Sequence, residues 1–344
     1  MRALASDNYA GTHPDVMAAI VAANVDHAIS YGDDPWTARA DEVFRSHFGE
    51  HARAFPVFNG TGANVVGLQV LMRPWDAIIC ASTAHINVDE GGAPEHLLGS
   101  KLIDVPTPDG KLTPDLVRSA HFGVGVVHHA QPKVVSITQT TEMGTLYTVD
   151  EVAALAECAH SLNMYLHMDG ARISNAAASL GLPLRAFTTD VGVDVLSFGG
   201  TKNGALLAEA VVILQPHLGD VADVVGFARK QSMQLASKMR FFSAQFVALL
   251  EGDLWLRNAA HANAMAGRLH VAVASAPGLE FPQPVQANGL FPIMPAHAIA
   301  PLQQSTPFYV WNESINQVRW MCSWDTTPED IDSFATTLLA LLAA

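Results

Sequence analysis

The chain has 344 residues, of which 49% are hydrophobic and 15% are charged, and its formal net charge is −14. A chain of this length can bury a large core, so we expect one broad domain and a smaller one. The acidic balance argues against a nucleic-acid-binding protein, because such proteins hold phosphates with clustered Lys and Arg.

The three cysteines and the apolar runs exclude further classes. Cys80, Cys158 and Cys322 lie far apart, which indicates neither a disulfide framework nor a zinc ribbon. No apolar run has membrane-spanning length, and the N-terminal residues lack the hydrophobic segment of a signal peptide. We therefore expect a cytoplasmic protein with no membrane partner.

Two polar motifs open the chain. Ser6-Asp7-Asn8 precedes a helix predicted to start near Thr12, and by itself Ser6 is typical of a cap or turn. The loop Tyr31-Gly32-Asp33-Asp34-Pro35-Trp36 follows, and two adjacent acids usually mark a solvated turn.

A strand predicted from Ala54 to Phe58 leads into a glycine-containing turn and a helix. The turn contains Gly60, Thr61 and Gly62. Free N–H groups and the positive end of the helix dipole make such a turn suitable for a phosphate. We therefore predict a phosphate site there.

His85 and Asp89 follow a strand predicted from Asp76 to Cys80. Four residues apart on a helix, they would share one face. Three interpretations are open: a metal pair, for which no third ligand is evident nearby, a hydrogen-bonded surface pair, or a pair that lines a cofactor site. We predict no metal.

Strands and helices alternate through the middle of the chain. His128-His129 precede a strand predicted from Lys133 to Ile137, and a double histidine suggests a metal only if more ligands are in reach. Thr148 with Glu151 forms a capping box for the next helix. Alternation at this spacing predicts a mostly parallel sheet.

Asp169 ends a predicted strand, Met164 to Met168, and Arg172 follows it. Ligands bind at the carboxyl ends of strands in an open α/β sheet. A carboxylate placed there can hold a pyridinium nitrogen protonated, as pyridoxal phosphate requires. Arg172 is then expected to reach the phenolate oxygen of that cofactor.

Lys202 lies in a loop after the predicted strand Val193 to Phe198, flanked by Gly200 and Gly204. Glycines allow a tight turn and a close approach of ligand. A lysine in partly apolar surroundings loses its proton more easily and can form a Schiff base with a carbonyl group. A surface turn is the simpler interpretation of the lysine alone, but the Asp169 motif favours the Schiff base.

The last hundred residues differ from the rest of the chain in their pattern of predicted elements. A long helix is predicted from Leu254 to Val273, then short strands and a closing helix after Thr327-Pro328. We predict a large domain over residues 1–245 and a small α/β domain over 246–344. Arg319 lies in one of the short strands, where it can pair with an acid or bind a substrate carboxylate with its planar fork.

The stretches His167-Met168-Asp169-Gly170-Ala171-Arg172 and Ser197 to Gly204 together resemble the threonine aldolase family, most of all its bacterial branch that acts on L-threonine and L-phenylserine. The resemblance covers nearly the whole chain. It implies the fold of fold-type I pyridoxal-phosphate enzymes, with a mostly parallel seven-stranded sheet, helices on both faces and a small C-terminal α/β domain. Trp36 departs from the family, in which a threonine usually follows the proline.

The resemblance also implies roles for residues that the pattern alone leaves open. Lys202, His85, His128 and Asp89 would be catalytic, with His85 stacked on the pyridine ring and His128 near the substrate hydroxyl. The cofactor would be held by Gly60, Thr61, Gly62, His85, Asp169, Arg172 and Lys202, and by Lys230 and Arg240 of a neighbouring subunit. The substrate would contact Ser6, Tyr31 and Arg319. A dimer is then the minimum assembly, and a tetramer is expected.

The expected function is cleavage of L-threonine, L-allo-threonine or L-phenylserine to glycine and an aldehyde. Lys202 could instead remove the Cα proton, as in a β-eliminating lyase or an aminotransferase. A non-catalytic protein that binds pyridoxal phosphate is the third possibility.

Overall fold

A computed structural model describes residues 2–343 of the chain, and its centre is a seven-stranded sheet. The strands of this sheet are β1 (Arg53–Val57), β2 (Asp76–Ala81), β3 (Lys101–Val105), β4 (Gln131–Thr138), β5 (Tyr165–Gly170), β6 (Val195–Gly199) and β7 (Glu209–Ile213). Their spatial order is β1-β7-β6-β5-β4-β2-β3. β7 runs antiparallel to both of its neighbours, and the other pairings are parallel. The mostly parallel seven-stranded sheet predicted from the sequence is confirmed.

Thirteen α-helices are found in the described part of the chain. They are α1 (Pro14–Ala22), α2 (Pro35–Phe48), α3 (Gly60–Gln69), α4 (His85–Val88), α5 (Ala93–Leu98), α6 (Pro114–Ala120), α7 (Val149–Ser161), α8 (Ile173–Leu180), α9 (Gly219–Gln231), α10 (Arg240–Leu250), α11 (Leu254–Val273), α12 (Ala296–Ser305) and α13 (Pro328–Leu342). The capping box of Thr148 and Glu151 is formed at the start of α7. No helix between residues 2 and 343 has the length and apolar character needed to cross a bilayer.

Neighbouring residues of each central strand point to opposite faces of the sheet, because side chains alternate along a strand. Ile79 and Val135 pack in one hydrophobic core with α2, α7, α8 and α10. Ile78 and Val134, one residue earlier in each strand, pack in a second core with α3 and α9. Both faces are covered, which explains why these strands read as continuous apolar runs.

A small antiparallel sheet lies in the C-terminal part, in the order β8 (Gly289–Leu290), β10 (Gln317–Met321) and β9 (Tyr309–Asn312). Its core contains Leu4 from the N-terminal segment, and Leu4 exchanges backbone hydrogen bonds with Pro307 and Met321. The N-terminal segment therefore packs in the small unit, and the chain continues from there into the large one.

The two units meet along α11. Trp255, in its first turn, packs in the large core, whereas Leu269 packs in the core of the small sheet. α10 also packs in the large core through Phe246. The predicted boundary between the two domains, at residues 245 and 246, stays a prediction. The change from the large core to the small core occurs along α11.

Candidate active site

A cavity of about 760 Å³ lies between the carboxyl ends of the central strands and the small unit. The large unit contributes residues that follow β4, β5 and β6, and the small unit contributes β9 and β10. The residues of the sequence prediction that line the cavity are Ser6, His85, Asp89, Arg172, Lys202 and Arg319. These residues therefore gather at the carboxyl ends of the central strands, where ligands bind in open α/β sheets.

Lys202 lies in a 3-10 turn, Thr201–Asn203, directly after β6. Asn203 donates to the Trp255 carbonyl and accepts from Asn258, which ties the turn to α11. Gly204 ends the turn at φ +100°, and a Cβ there would lie 2.9 Å from Asn258 Nδ2, so a side chain would be strained. Burial, and then the charge of Arg172, lower the pKa of Lys202. The turn thus presents an amine that is easily deprotonated.

Asp169 lies near the end of β5, next to Ser197 of β6 and Thr138 of β4. Its Oδ1 accepts the Ala171 N–H at 3.0 Å, and its Oδ2 accepts the Asn64 amide at 2.8 Å. Both donors are uncharged, so no cation among residues 2–343 neutralises this buried carboxylate by hydrogen bonding. Such a carboxylate can accept a hydrogen bond from a protonated ring nitrogen.

Asn64 connects Asp169 to His85. Its Nδ2 donates to Glu90 Oε1 at 2.7 Å as well as to Asp169. Glu90 Oε1 is 2.8 Å from His85 Nδ1, and this hydrogen bond raises the pKa of His85 against the effect of burial. Groups of His85, Glu90 and Asp169 lie within 4.8 Å of one another, a spacing that would admit a metal ion. The Asn64 donor that serves both carboxylates suits a hydrogen-bonded network better than a cation.

Of the three interpretations of His85 and Asp89, the hydrogen-bonded side-chain pair does not form. Asp89 ends α4, where its N–H donates to the His85 carbonyl at 2.9 Å, and its exposed side chain lines the cavity. The chain then turns, and it is Glu90, with a side chain that is 0% exposed, that reaches His85.

Arg172 is paired with an acid that the sequence prediction did not single out. Its Nε and Nη2 donate to Asp7 at 2.7 and 2.8 Å, and Asp7 also accepts from Asn288 at 3.1 Å. Burial raises the pKa of Asp7, but the charge and hydrogen bonds of Arg172 outweigh it and hold the pKa below its usual range. Arg172 nevertheless lines the cavity beside Lys202.

Arg319 has no carboxylate within ion-pair distance in the part of the chain that the structure describes, so its alternative as one half of an ion pair is wrong. Its Nη2 donates to the Ala5 carbonyl at 2.9 Å, whereas its buried Nε has no partner. The guanidinium lies 5.1 Å from the ring centres of both Tyr309 and Trp311. Burial and the nearby charge of Arg172 lower the pKa of Arg319. An orphaned, aromatic-flanked guanidinium that faces a cavity is suited to an anionic ligand.

The predicted phosphate turn lies at the start of α3, on the same sheet edge but outside the lining of the cavity. Asn59 accepts the Gly62 N–H at 2.7 Å, and Gln234 accepts the Phe58 N–H at 3.0 Å. A Cβ on Gly62 would lie 2.3 Å from the end of the Gln234 side chain, so a larger residue there would displace Gln234. Gln234 therefore covers this turn. The two segments are distant in the sequence, so the local pattern did not predict this contact.

Three predicted residues lie together away from the cavity. The Lys230 ammonium is 5.4 Å from the ring centre of the exposed Tyr31. Arg240 donates to the Val25 carbonyl at 2.8 Å and lies 5.9 Å from the ring centre of Trp36. Tyr31 therefore does not line the cavity of its own chain, and its contact with substrate stays a prediction.

His128 also lies away from the cavity of its own chain. His128 is exposed in the segment before β4, at the opposite end of that strand from the cavity, and does not line the cavity. Any contact of His128 with substrate would need a second copy of the chain.

The sequence prediction assigned no role to four acids around the site, and two of them are adjacent to residues that it considered. Asp7 follows Ser6, and Glu90 follows Asp89. Burial raises the pKa of both Glu142 and Glu209 to about 7. Glu209 accepts the Thr201 N–H at 3.3 Å beside Lys202, and Glu142 lines the cavity. Adjacent acids look alike in a sequence, and only the fold shows which of them is buried.

The family model described as beta-eliminating lyase matches residues 3–296. The chain belongs to this family. Curated relatives include the low specificity L-threonine aldolases of Pseudomonas sp. (strain NCIMB 10558), 44% identical, and of Pseudomonas aeruginosa, 43% identical. Each alignment covers 99% of this chain and 98% of the relative.

Solved structures of similar fold support the assignment to the family. A structure of Leishmania major threonine aldolase superposes with a TM-score of 0.92 at 28% identity, covering 99% of this chain and 100% of that one. A Thermus thermophilus aspartate aminotransferase, at 16% identity and a TM-score of 0.72 over 99% and 90% of the two chains, shares the fold alone. The resemblance to threonine aldolases inferred from the sequence is confirmed.

Proposed function

We propose that this protein is a pyridoxal-phosphate-dependent carbon–carbon lyase that cleaves β-hydroxy-α-amino acids such as L-threonine, L-allo-threonine and L-phenylserine to glycine and an aldehyde. The observation that carries the proposal is the convergence of Lys202 and the orphaned Arg319 on one cavity. An amine and a guanidinium in one cavity suit a substrate that has both an amino group and a carboxylate. The Pseudomonas relatives, which are named L-threonine aldolases, support the same reaction.

The residues present fit pyridoxal phosphate. Lys202 is an amine of lowered pKa, Asp169 is a buried carboxylate without a cationic partner, and Gly60 to Gly62 begin a ten-residue helix on the same edge. Lys202 would hold the aldehyde carbon, Asp169 the ring nitrogen, and the start of α3 the phosphate. When bound, the cofactor supplies an electron sink for the pair released at Cα.

The chain's own residues orient the substrate. Arg319 would bind the carboxylate, with Ser6 beside it in the lining of the cavity, so that the bond to be broken has a fixed direction. His85 is held by Glu90 at one ring nitrogen, which suits an imidazole that packs against the cofactor ring. The Asp7–Arg172 pair keeps a second guanidinium in place at the cavity wall.

We further propose that the active form is at least a dimer, and a tetramer by the family resemblance. Three residues lie away from the cavity of their own chain: Lys230, Arg240 and Tyr31. From this position, Lys230 and Arg240 would contact the phosphate bound to a second copy of the chain. His128 would likewise act only in a neighbour's cavity. A cytoplasmic location remains a prediction from the sequence.

Product analysis tests the proposal. The purified protein with its cofactor would be incubated with L-threonine and L-phenylserine, and glycine and the aldehyde would be measured. Glycine and aldehyde in equal amounts are expected. Ammonia with a keto acid would instead indicate a β-eliminating lyase, a new amino acid from an added keto acid would indicate an aminotransferase, and no turnover would indicate a binding protein.

A further inference from the structure

A carboxyl group that the proposed mechanism has not yet used faces the cavity. Glu142 lies in the turn after β4 and lines the cavity together with Lys202 and Arg319. The turn is closed by the hydroxyl pair of Thr141 and Thr145, 2.7 Å apart, and by the hydrogen bond from the Thr141 N–H to the Thr145 carbonyl. Glu142 is therefore held on a fixed segment, as a group that takes part in chemistry needs to be.

The two oxygens of Glu142 have different surroundings. Oε1 accepts the Thr138 hydroxyl at 2.7 Å and the His85 backbone N–H at 2.8 Å. In contrast, no other residue between positions 2 and 343 donates a hydrogen bond to Oε2, since both donors bind Oε1. Because Oε1 faces two donors, a proton on this carboxyl group must be carried by Oε2.

Several charged or titratable groups act on Glu142. They are His85 on α4, Asp169 on β5, Arg172 before α8, Cys80 on β2 and Tyr147 before α7. Burial is the largest cause that raises its pKa to about 7, and the negative charge of Asp169 acts in the same direction. The hydrogen bonds from Thr138, from the N–H of Glu142 itself and from the N–H of His85 oppose the rise. The group can therefore both take up and release a proton near neutral pH.

The other candidates in the cavity are less suitable. Asp89 is exposed, and His85 is engaged by Glu90 at Nδ1 and lies where the cofactor ring is expected. Glu142 lines the same cavity as Arg319 and Lys202, so a substrate with its carboxylate on Arg319 and its amine at Lys202 has Glu142 among the groups around its β-carbon.

We propose that Oε2 of Glu142 accepts the proton of the substrate's β-hydroxyl group during cleavage, an inference that rests on the proposed function. As the O–H bond breaks, its electron pair forms the carbonyl bond of the aldehyde, and the pair of the Cα–Cβ bond stays with Cα. Cα then takes up a proton to give glycine, and Glu142 releases its proton to solvent. The protons balance, and no oxidant or reductant is required.

The decisive variant is Glu142→Gln. The amide oxygen can still accept from Thr138 and His85, so the turn should be kept, but the group can no longer take a proton. We expect threonine cleavage to fall about 10²-fold or more in kcat, since a general base contributes roughly 10²–10⁴-fold. Cofactor content should be unchanged, and exchange of the α-proton of glycine in deuterated water, which has no hydroxyl step, should be kept within a few-fold. Glu157→Gln, an exposed change on α7, is the matched control and should cleave at the parent rate.

The pH profile and the infrared spectrum give further tests. In the parent, kcat/KM for threonine should rise as Glu142 ionises through about pH 7, and this limb should be absent in Glu142→Gln. In the cofactor-free protein, a protonated-carboxyl band that titrates near neutral pH should be lost in Glu142→Gln. Glu209→Gln should remove a separate band, because that buried carboxyl group also has its pKa raised to about 7.

Three results would overturn the proposal. The first is cleavage by Glu142→Gln within a few-fold of the parent, with the same pH limb. The second is joint loss of cleavage, glycine exchange and cofactor, which would show a structural role. The third is the expected loss in Asp89→Asn instead. A parent protein that forms no glycine from either substrate would overturn the proposed function itself, and this inference with it.

Discussion

The guanidinium of Arg172 donates two hydrogen bonds to the carboxylate of Asp7, at 2.7 and 2.8 Å, and the Asp7 side chain is only 1% exposed. Asp7 also accepts from Asn288, whose amide donates to the Cys322 carbonyl in the small unit. One carboxylate thus joins the N-terminal segment, the start of α8 and the small sheet. These are the segments that enclose the cavity.

Removing the charge of Asp7 should therefore destabilise the fold. Asp7→Asn leaves Arg172 as a buried, uncompensated cation, which typically costs about 3–5 kcal/mol. The measurement is the free energy of unfolding in denaturant at neutral pH. The exposed pair of Arg185 and Asp190 has similar geometry, and Asp190→Asn, the control, should cost at most about 1 kcal/mol.

The pH dependence of that difference follows from the direction of the pKa shift. Because the pKa of Asp7 is lower in the folded chain than in the unfolded chain, its contribution is complete above the unfolded value of about 4. It is lost as the pH falls through the folded value. The parent and Asp7→Asn should therefore converge in stability in acid, and a gap that widens there would contradict the assignment.

Lys202 should carry the cofactor. Reduction of the cofactor-loaded protein with borohydride, followed by peptide mapping, is expected to place the pyridoxyl group on Lys202, because its pKa is lowered in the cavity. Lys202→Ala should yield no labelled peptide. A label on Lys230 or Lys238 in the parent would contradict the prediction.

The sequence pointed to the residues that sit at the ends of central strands. Asp169 and Lys202 were found because an apolar run followed by a polar motif marks the binding edge of an α/β sheet. The bounds of α11 could also be predicted, since its apolar pattern is long and ends before Pro277 and Gly278. These are local signals, and no distant contact alters them.

Contacts between distant segments could not be predicted. β3 was missed because Lys101 and Asp104 are exposed on an edge strand, where charge is common. The first of the short strands predicted after the long helix has only two residues, Gly289–Leu290, since the following Pro292 cannot donate to a ladder. Glu90 was not singled out because only the turn after α4 directs its side chain to His85.

Asp169→Asn should separate catalysis from folding. The new amide can still accept from Asn64 or Ala171, but it cannot stabilise a protonated ring nitrogen. We expect threonine cleavage to fall about 10²-fold or more while cofactor still attaches to Lys202. Asp104→Asn, on the exposed edge strand, should have parent activity. Near-parent turnover in Asp169→Asn would place the ring partner elsewhere.

Hybrid oligomers can test whether Arg240 serves a second copy of the chain. Lys202→Ala and Arg240→Ala should each be inactive or nearly so. In a mixed dimer, the subunit with Arg240→Ala keeps its own Lys202 and receives Arg240 from its partner, so one site is intact. Half of the dimers should be mixed after exchange, which gives about a quarter of the parent activity.

The control is a mixture of Lys202→Ala with Asp169→Asn. Asp169 acts on Lys202 of the same chain, so both residues belong to one candidate site. Every site in a mixed dimer then keeps one defect, and no activity should return. Subunit exchange would be verified with a size tag on one variant. If the Arg240→Ala mixture stays inactive although mixed dimers are present, Arg240 acts within its own chain. Its hydrogen bonds to the Val25 and Asp26 carbonyls would then be its whole contribution.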